Sequence, residues 1–298
     1  QSNGKDACGV TANAKAILYM IAAMLTFTCV DAAVKVAGGF ATTGQLLLVV
    51  SIGSLLIFLP LLKRQGEAFF SPQVFHKAVV IRSLGELLAW FGLTEALRAA
   101  GLGTVTAVMQ VQPLVVVLGA AVFLAEPVGW RRWTAVLVGF MGVLIILGPG
   151  VSGLNAGLFW TLPAILGLTM RDLASRVLPP GVSTSFAVSW AMVVIVIYST
   201  GLVIFEGGWT PIAAAGWLWM GLLVVMTSLG MACITIAMRT GEASVVAPLR
   251  YTRIVFGLGL AYVFFGEVPA STIWLGAALI VGAGLYSYWR EMRVKVAA

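Results

Sequence analysis

Charged residues are scarce in this sequence. Of 298 residues, 60% are hydrophobic and only 10% are charged, and the mean hydropathy is +1.03. A soluble domain carries about 25% charged residues because its surface must be solvated. The scarcity of charge excludes a soluble globule and indicates an integral membrane protein.

The residues of common catalytic and metal chemistry are also scarce. The three cysteines, Cys8, Cys29 and Cys233, lack CxxC spacing, and His76 is the only histidine. The sequence contains no phosphate loop ending in GKS or GKT, no HExxH and no GxSxG, so ATP-driven transport and membrane hydrolysis lack their residues. We therefore expect no enzymatic activity, no metal and no cofactor. Without a basic run that interleaves aromatics, we expect no nucleic-acid partner either.

Long apolar runs fill most of the chain. A helix needs about 20 apolar residues to cross the hydrocarbon core of a bilayer. Ten such runs are separated by short polar breaks, at residues 15–36, 43–62, 77–97, 102–124, 131–148, 155–175, 184–205, 212–238, 243–265 and 271–289. Backbone polar groups in lipid must be paired within the protein, and these runs do not alternate as barrel strands do. The sequence therefore predicts an all-α membrane protein of ten spans.

Lysine and arginine are unevenly distributed between the two ends of these runs. With the N-terminus inside, the outer side receives only Lys35 and Arg98. The cytoplasmic side receives twelve basic residues, namely Lys5, Lys15, Lys63, Arg64, Lys77, Arg131, Arg132, Arg176, Arg239, Arg290, Arg293 and Lys295. Because cytoplasmic loops carry the excess of positive residues, we expect both termini in the cytoplasm and the protein in the inner membrane.

The sequence contains an internal repeat. A shift of 141 residues, without a gap, aligns Asp31 with Asp172 and Lys35 with Arg176. The same shift aligns four further pairs, Arg98 with Arg239, Phe123 with Phe264, Glu126 with Glu267 and Trp133 with Trp274. Each copy holds five spans, an odd number, so the second copy enters the membrane inverted. Inverted repeats supply the two related states of alternating-access transporters.

The repeated span ends resemble a known family. They read FLAEPVGWRRWTAVLVGFMGVLIIL at 123–147 and FFGEVPASTIWLGAALIVGAGLY at 264–286. These segments are similar to those of EamA-type members of the drug/metabolite transporter superfamily, and the resemblance covers residues 15–290. It implies a secondary carrier with a central cavity between its halves. Members of that family import or export amino acids, nucleotide-like metabolites, vitamins, sugars and other small organic molecules.

The repeat and the resemblance together predict the organisation of the chain. We expect two inverted five-helix repeats between short cytoplasmic tails. The predicted parts are a tail at 1–14, the first repeat at 15–148, the second repeat at 155–289 and a tail at 290–298. We expect a monomer or a weak homodimer in contact with membrane lipid.

Two arginines lie inside the apolar stretch VAPLRYTRIV at 246–255. At a rise of 1.5 Å per residue, Arg250 lies roughly 12 Å and Arg253 roughly 16 Å past Glu242, near the midplane. Ionisable groups at this depth usually face a cavity or a partner, and an arginine fork suits a carboxylate. We expect both arginines to bind substrate. The alternative for Arg250 is that its side chain extends to the inner headgroups.

A second set of polar residues lies in the third span. Arg82, Glu86 and Trp90 follow one another at intervals of four and share a helix face. Arg82 and Glu86 could pair within the helix, or Glu86 could pair with Arg253 or help to hold an amino-acid-like substrate. We expect all three in the substrate site, with Trp90 as an aromatic wall. Glu86 is the candidate for proton coupling, because a carboxyl at this depth can change its protonation.

Two glutamines occupy the fourth span, in TAVMQVQPLV at 106–115. The repeat shift aligns Arg250 with Met109 and Arg253 with Gln112, so the polar face is asymmetric although the scaffold is repeated. We expect Gln110 and Gln112 to donate hydrogen bonds to substrate. The alternative is that both amides are satisfied within the helix bundle.

The repeated charged pairs are candidate gates. Asp31 and Lys35 lie at the outer end of span 1, and Asp172 and Arg176 at the inner end of span 6, each pair four residues apart. We expect them to latch the two gates in alternate states; ordinary interface charge is the alternative.

Taken together, the residues predict a secondary active transporter. We expect a small organic substrate that is carboxylate-bearing or zwitterionic and amino-acid-like, moved by alternating access with proton coupling or exchange. The alternatives are a passive channel or facilitator and a membrane-embedded enzyme or sensor.

Overall fold

The computed structural model describes residues 3–123, 130–147, 156–179, 181–240 and 247–297. These residues form ten helical segments and two short 3₁₀ turns, at Pro72–Phe75 and Ala247–Tyr251. The helices are α1 (Asn3–Ala37), α2 (Thr43–Arg64), α3 (Lys77–Ala99), α4 in two halves, α4a (Leu102–Met109) and α4b (Gln112–Phe123), α5 (Trp130–Leu147), α6 (Ala156–Phe159 continued by Thr161–Arg176), α7 (Thr184–Phe205), α8 (Ala214–Thr240), α9 (Thr252–Phe265) and α10 (Ser271–Ala297). The all-helical prediction is confirmed.

Five of the helices are long and apolar enough by themselves to cross a membrane. They are α1 from Ala14, α2, α4 taken as one span, α7 and α8. Apolar stretches in α5 and α10 are shorter, at Val136–Ile146 and Ser271–Tyr286. The third helix carries buried charged residues and the sixth carries partly buried ones, which lowers their hydropathy. The chain is a multi-pass membrane protein.

Helix packing follows the inverted repeat. α3 packs along α6 and α1 along α8, and these two contacts are equivalent when the first five helices are exchanged for the last five. The pairs α2 with α7 and α5 with α10 are each their own equivalent, and α4a of the fourth span packs against α9 of the ninth. The bundle therefore has the pseudo-twofold arrangement of two inverted five-helix repeats, as the sequence shift predicted.

Glycines allow the backbones of paired helices to touch. A Cβ atom added to Gly85 of α3 would lie 2.7 Å from the carbonyl oxygen of Gly167 of α6, and one added to Gly167 would lie 2.5 Å from that of Gly85. Small residues permit this close approach in membranes, where van der Waals packing drives helix association. The contact brings Glu86, the neighbour of Gly85, beside α6.

The fourth helix is interrupted, where the sequence predicted one continuous span. Pro113 has no N–H to donate to the carbonyl of Met109, so it disrupts the ladder at this point. Gln110 and Val111 instead donate to the carbonyls three residues earlier, at 3.2 and 3.1 Å. The repeat shift maps these two residues to Tyr251 and Thr252, where the 3₁₀ turn meets α9. The change from 3₁₀ to α-helical geometry in span 9 thus lies at the position equivalent to the interruption of α4. We call both points helix interruptions, and discontinuous helices at mid-depth commonly form transporter sites.

Candidate substrate site

Two groups of ionic contacts lie beside the helix interruptions. We call the first the Asp31 pair, formed by Asp31 and Arg253. We call the second the Asp172 cluster, formed by Arg82, Glu86, Gln112, Arg171, Asp172 and Arg250. Both groups join residues from the two halves of the chain.

The Asp31 pair is short and enclosed. One terminal nitrogen of Arg253 donates to both carboxylate oxygens of Asp31, at 2.8 and 2.6 Å. The side chain of Asp31 is only 2% exposed, and the guanidinium carbon of Arg253 lies 5.8 Å from the ring centre of Phe27, within range of a cation–π contact. Removing one partner of a buried ion pair destabilises the folded protein, because the other charge is left uncompensated.

In the Asp172 cluster, each carboxylate oxygen of Asp172 has different donors. Arg171 donates to Oδ1 through Nε and Nη2, at 2.9 and 2.8 Å. Gln112, the first residue of α4b, donates to Oδ2 at 2.8 Å. Arg250, in the 3₁₀ turn before α9, reaches the same Oδ2 through Nη1 at 3.5 Å. Asp172 therefore connects α6 with both interrupted spans.

The other side of the cluster is built on α3. Nη1 of Arg171 lies 3.5 Å from Oε1 of Glu86, and Nη2 of Arg82 lies 3.9 Å from Oε2. Arg82 also donates to Ser175 Oγ at 3.1 Å and to the carbonyl of Ala187 at 3.0 Å, which links α3 to α6 and α7. Within the described residues, Oε2 of Glu86 accepts no hydrogen bond.

Within the part of the chain that the structure describes, the cluster has one more cation than anion. Its three arginines face two carboxylates, Glu86 and Asp172. The carboxylate of Glu86 is buried, whereas the side chain of Arg250 is 26% exposed. Guanidinium groups offer several N–H donors in a planar fork that matches a carboxylate. The accessible part of the cluster can thus bind an anionic group.

The two aspartates occupy repeat-equivalent positions, and so do their partners. The shift of 141 residues maps Asp31 to Asp172 and Gln112 to Arg253. The contact between an aspartate and the start of an interrupted helix is therefore made twice, once with an arginine and once with a glutamine. The contact geometry is repeated in the two halves, but the residue that meets the aspartate is charged in one half and neutral in the other.

The structure brings four of the predicted substrate-binding residues together, namely Arg82, Glu86, Gln112 and Arg250. Of the three alternatives for Glu86, the structure shows the contact with Arg82 within α3, and it adds a contact with Arg171. Arg253, expected to bind substrate, forms an ion pair with Asp31, and its part in substrate binding stays a prediction.

The remaining two candidates are buried. Trp90 is 9% exposed and belongs to the hydrophobic core. Gln110 lies at the α4 interruption and is 4% exposed. Its Nε2 atom has no hydrogen-bond partner among the described residues, so the alternative of an amide fully satisfied within the bundle does not hold for Gln110.

The candidate gate residues are paired differently from the i, i+4 expectation. Asp31 binds Arg253, and Lys35 binds Glu267 in the loop between α9 and α10. The partners of both residues lie in the other half of the chain because α1 packs against α8 and α9. The side chain of Arg176 lies outside the described residues.

Glu267 also caps a helix from the other repeat. Its two carboxylate oxygens accept hydrogen bonds from the backbone N–H groups of Leu102 and Gly103, each at 3.2 Å. A carboxylate is favourable at the positive end of a helix dipole. Glu267 thus ties the end of α1, through Lys35, to the start of α4a.

Arg171 is the site residue that the sequence analysis missed. A usable signal was present, because the repeat shift aligns Arg171 with Val30, a charged residue with an apolar one. The same asymmetry singled out Arg250 and Arg253. The repeat identified only Asp172 as a candidate, although Arg171 lies next to it in the sequence.

An inverted-repeat bundle with paired helix interruptions and an ionic cluster between them defines a membrane transporter. A model of the EamA-like transporter family matches residues 14–148 and again residues 155–289. The chain belongs to the EamA-like transporter family and is a membrane transporter of small metabolites, not an enzyme.

Several relatives are named for different metabolites. A riboflavin transporter of Rhizobium johnstonii is 32% identical over 246 residues, covering 80% of this chain and 78% of the relative. An S-adenosylmethionine uptake transporter of Rickettsia bellii is 27% identical over 224 residues, covering 72% and 74%. A pseudopaline exporter of Pseudomonas aeruginosa is 27% identical over 279 residues, covering 90% and 93%.

A solved crystal structure supports the fold. It superposes with a TM-score of 0.65 over 95% of this chain and 99% of its own, at 18% sequence identity. At that identity the likeness concerns the fold alone.

Proposed function

We propose that the protein is a secondary active transporter that moves a small carboxylate-bearing or zwitterionic, amino-acid-like metabolite across the inner membrane by alternating access. Relatives named for riboflavin, S-adenosylmethionine and pseudopaline support a polar organic substrate. Those relatives include an uptake transporter and an exporter, so the assays below measure both directions.

The excess positive charge of the Asp172 cluster is the observation that carries this proposal. Arg171 and Arg250 lie beside the two helix interruptions, and their side chains are 18% and 26% exposed. A bidentate contact between arginine and carboxylate provides both attraction and orientation. Glu86 and Asp172 supply the acceptors that an ammonium group needs, so the same cluster suits a zwitterion. We assign substrate binding to Arg250, Arg82, Glu86 and Gln112 and add Arg171.

In alternating access, the two ends of the bundle would close in turn. The contacts of Glu267 with Lys35 and the start of α4a connect the two halves at one end. We propose that Lys35 and Asp31 stabilise closure at this end, and that Asp172 and Arg176 serve the opposite end. The distribution of Lys and Arg predicts that the first end is extracellular and that both termini of the protein are cytoplasmic. Labelling of cysteines introduced at the two termini, in sealed cells, tests this orientation.

Glu86 is the proposed proton-coupling residue. Its carboxylate is 2% exposed, and Oε2 accepts no hydrogen bond among the described residues. With a pH gradient across proteoliposomes, the wild type should accumulate substrate and E86Q should only exchange it. Accumulation by E86Q would reject this role for Glu86.

Counterflow in proteoliposomes tests the proposed function. Vesicles with the purified protein are preloaded with one metabolite at a time and supplied with a trace of the labelled form outside. A carboxylate-bearing or zwitterionic metabolite should show transient, saturable accumulation that R250Q reduces. Flux without saturation or counterflow would indicate a channel, and counterflow of metabolites without a carboxylate alone would reject the substrate class.

A further inference from the structure

We propose that Asp172 is a tethered stand-in for the substrate carboxylate, occupying the guanidinium groups of Arg171 and Arg250 while the carrier is empty and yielding Arg250 when substrate binds. This inference rests on the proposed function, because it names the subsite that reads the substrate's anionic group. It assigns to Asp172 a part in recognition beyond the gate role expected from its position.

The first support is the position of Asp172 Oδ2. This oxygen accepts hydrogen bonds from Gln112 at 2.8 Å and from Arg250 at 3.5 Å. The two donors lie in the two interrupted spans. An oxygen of an incoming carboxylate would find both donors at this place. Asp172 thus already occupies the position that the substrate group needs.

The second support is the looseness of the contact with Arg250. Charge-assisted N–H···O bonds are usually about 2.7–2.9 Å long, whereas Arg250 reaches Oδ2 with one nitrogen at 3.5 Å. Its side chain is 26% exposed and that of Asp172 is 18% exposed. A carboxylate that arrives with two oxygens can make the bidentate contact that Asp172 does not make with Arg250.

The third support is the contrast with the repeat-equivalent aspartate. Asp31 is 2% exposed and holds Arg253 at 2.6 and 2.8 Å. That contact uses both carboxylate oxygens at short distance, and a group that took Arg253 from Asp31 would leave a buried carboxylate without this partner. Asp172 keeps Arg171 on Oδ1 when Arg250 departs, so it stays paired during the exchange.

The exchange would couple binding to movement. Asp172 lies on α6, and Arg250 lies in the turn that leads into α9. When the substrate carboxylate takes Arg250, the direct tie between these elements is lost and the substrate bridges them instead. A carboxylate fixed to the protein also competes with the substrate, which favours release after translocation.

Binding to the full-length protein in detergent tests the proposal with a matched pair of probes, N-acetylphenylalanine and its neutral amide. Removal of the internal competitor in D172N should tighten binding of the carboxylate by about tenfold, the factor that corresponds to one modest ionic contact. Binding of the amide should not change. The gain should disappear in D172N/R250Q, and D31L/R253M, which removes the repeat-equivalent pair as a whole, should show no gain.

The outcomes separate this inference from the proposed function. If R250Q weakens carboxylate binding but D172N does not tighten it, the stand-in role is wrong and the substrate class stands. If the acid and the amide bind D172N alike, or if neither binds at millimolar concentration, the anionic subsite itself is rejected. Thermal unfolding of each variant confirms that loss of binding does not reflect loss of the fold.

Discussion

The two repeat-equivalent aspartates show how one scaffold position serves two purposes. Asp31 meets an arginine at the start of α9, and the resulting ion pair is short, with a buried carboxylate and a partly exposed guanidinium. Asp172 meets a glutamine at the start of α4b, and its charge is shared with Arg171 and Arg250. Because a glutamine stands where the other repeat has an arginine, the second carboxylate is not neutralised at this position. It pairs with other arginines, in a cluster with excess positive charge. In this protein the symmetric contact builds the bundle, and its chemical asymmetry creates the candidate site.

Removal of the Asp31 charge should have the largest effect on stability. In D31N, Arg253 keeps its charge without a partner, and breaking a buried pair in this way costs about 3–5 kcal/mol. Thermal unfolding in detergent should show a marked fall in Tm. The double variant D31L/R253M, which removes both charges, should recover most of the loss. Equal Tm values for D31N and the wild type would show that the pair is not structural.

Removal of the Arg250 charge should affect substrate rather than stability. The contact with Asp172 is long and partly exposed, and ion pairs of this kind contribute about 0–1 kcal/mol. R250Q should therefore unfold near the wild-type Tm, yet bind the transported metabolite at least about tenfold more weakly, a change of roughly 1.4 kcal/mol. A large fall in Tm with unchanged affinity would reverse the roles assigned to the two regions.

Copying the first region into the second provides a sharper comparison. Q112R places an arginine opposite Asp172, at the position equivalent to Arg253. The new ion pair should hold Asp172 as Arg253 holds Asp31, so that transport falls while the Tm stays the same or rises. Counterflow and thermal unfolding on the same preparation measure both quantities. Q112M serves as a control for the loss of the amide.

Loss of the Glu267 charge should have the smallest effect. E267Q removes the ion pair with Lys35 and weakens the cap of α4a, and loss of a helix cap costs about 0.5–2 kcal/mol. The outer end should open more often. In a background without Cys8, Cys29 and Cys233, a cysteine at the buried position Val105 should react several-fold faster with an impermeant maleimide. The same rate with and without E267Q would mean that Glu267 does not control this opening.

The architecture could be predicted from the sequence because it depends on periodic, chain-wide features. Ten apolar runs gave the helices, and one constant shift gave the pseudo-symmetry that the helix packing shows. The interruption of α4 is a local exception: Pro113 signals it, but a run of apolar residues hides it. The orientation of the termini stays a prediction.

The site was harder to predict because its contacts join distant parts of the chain. Asp31 and Lys35, four residues apart, suggested each other as partners, yet Arg253 lies 222 positions from Asp31 and Glu267 lies 232 from Lys35. Sequence spacing reports only neighbours on one helix, whereas these partners meet through helix packing. Arg171 was missed for the same reason, since its contact with Glu86 depends on the close approach of α3 and α6.

Equilibrium binding of the metabolite identified by counterflow tests the central claim most directly, when R250Q is compared with D31L/R253M. The account predicts that R250Q binds at least about tenfold more weakly than the wild type, whereas the double variant keeps wild-type affinity because its missing pair is structural. Loss of binding in D31L/R253M with wild-type affinity in R250Q would contradict it and place the substrate at the Asp31 pair.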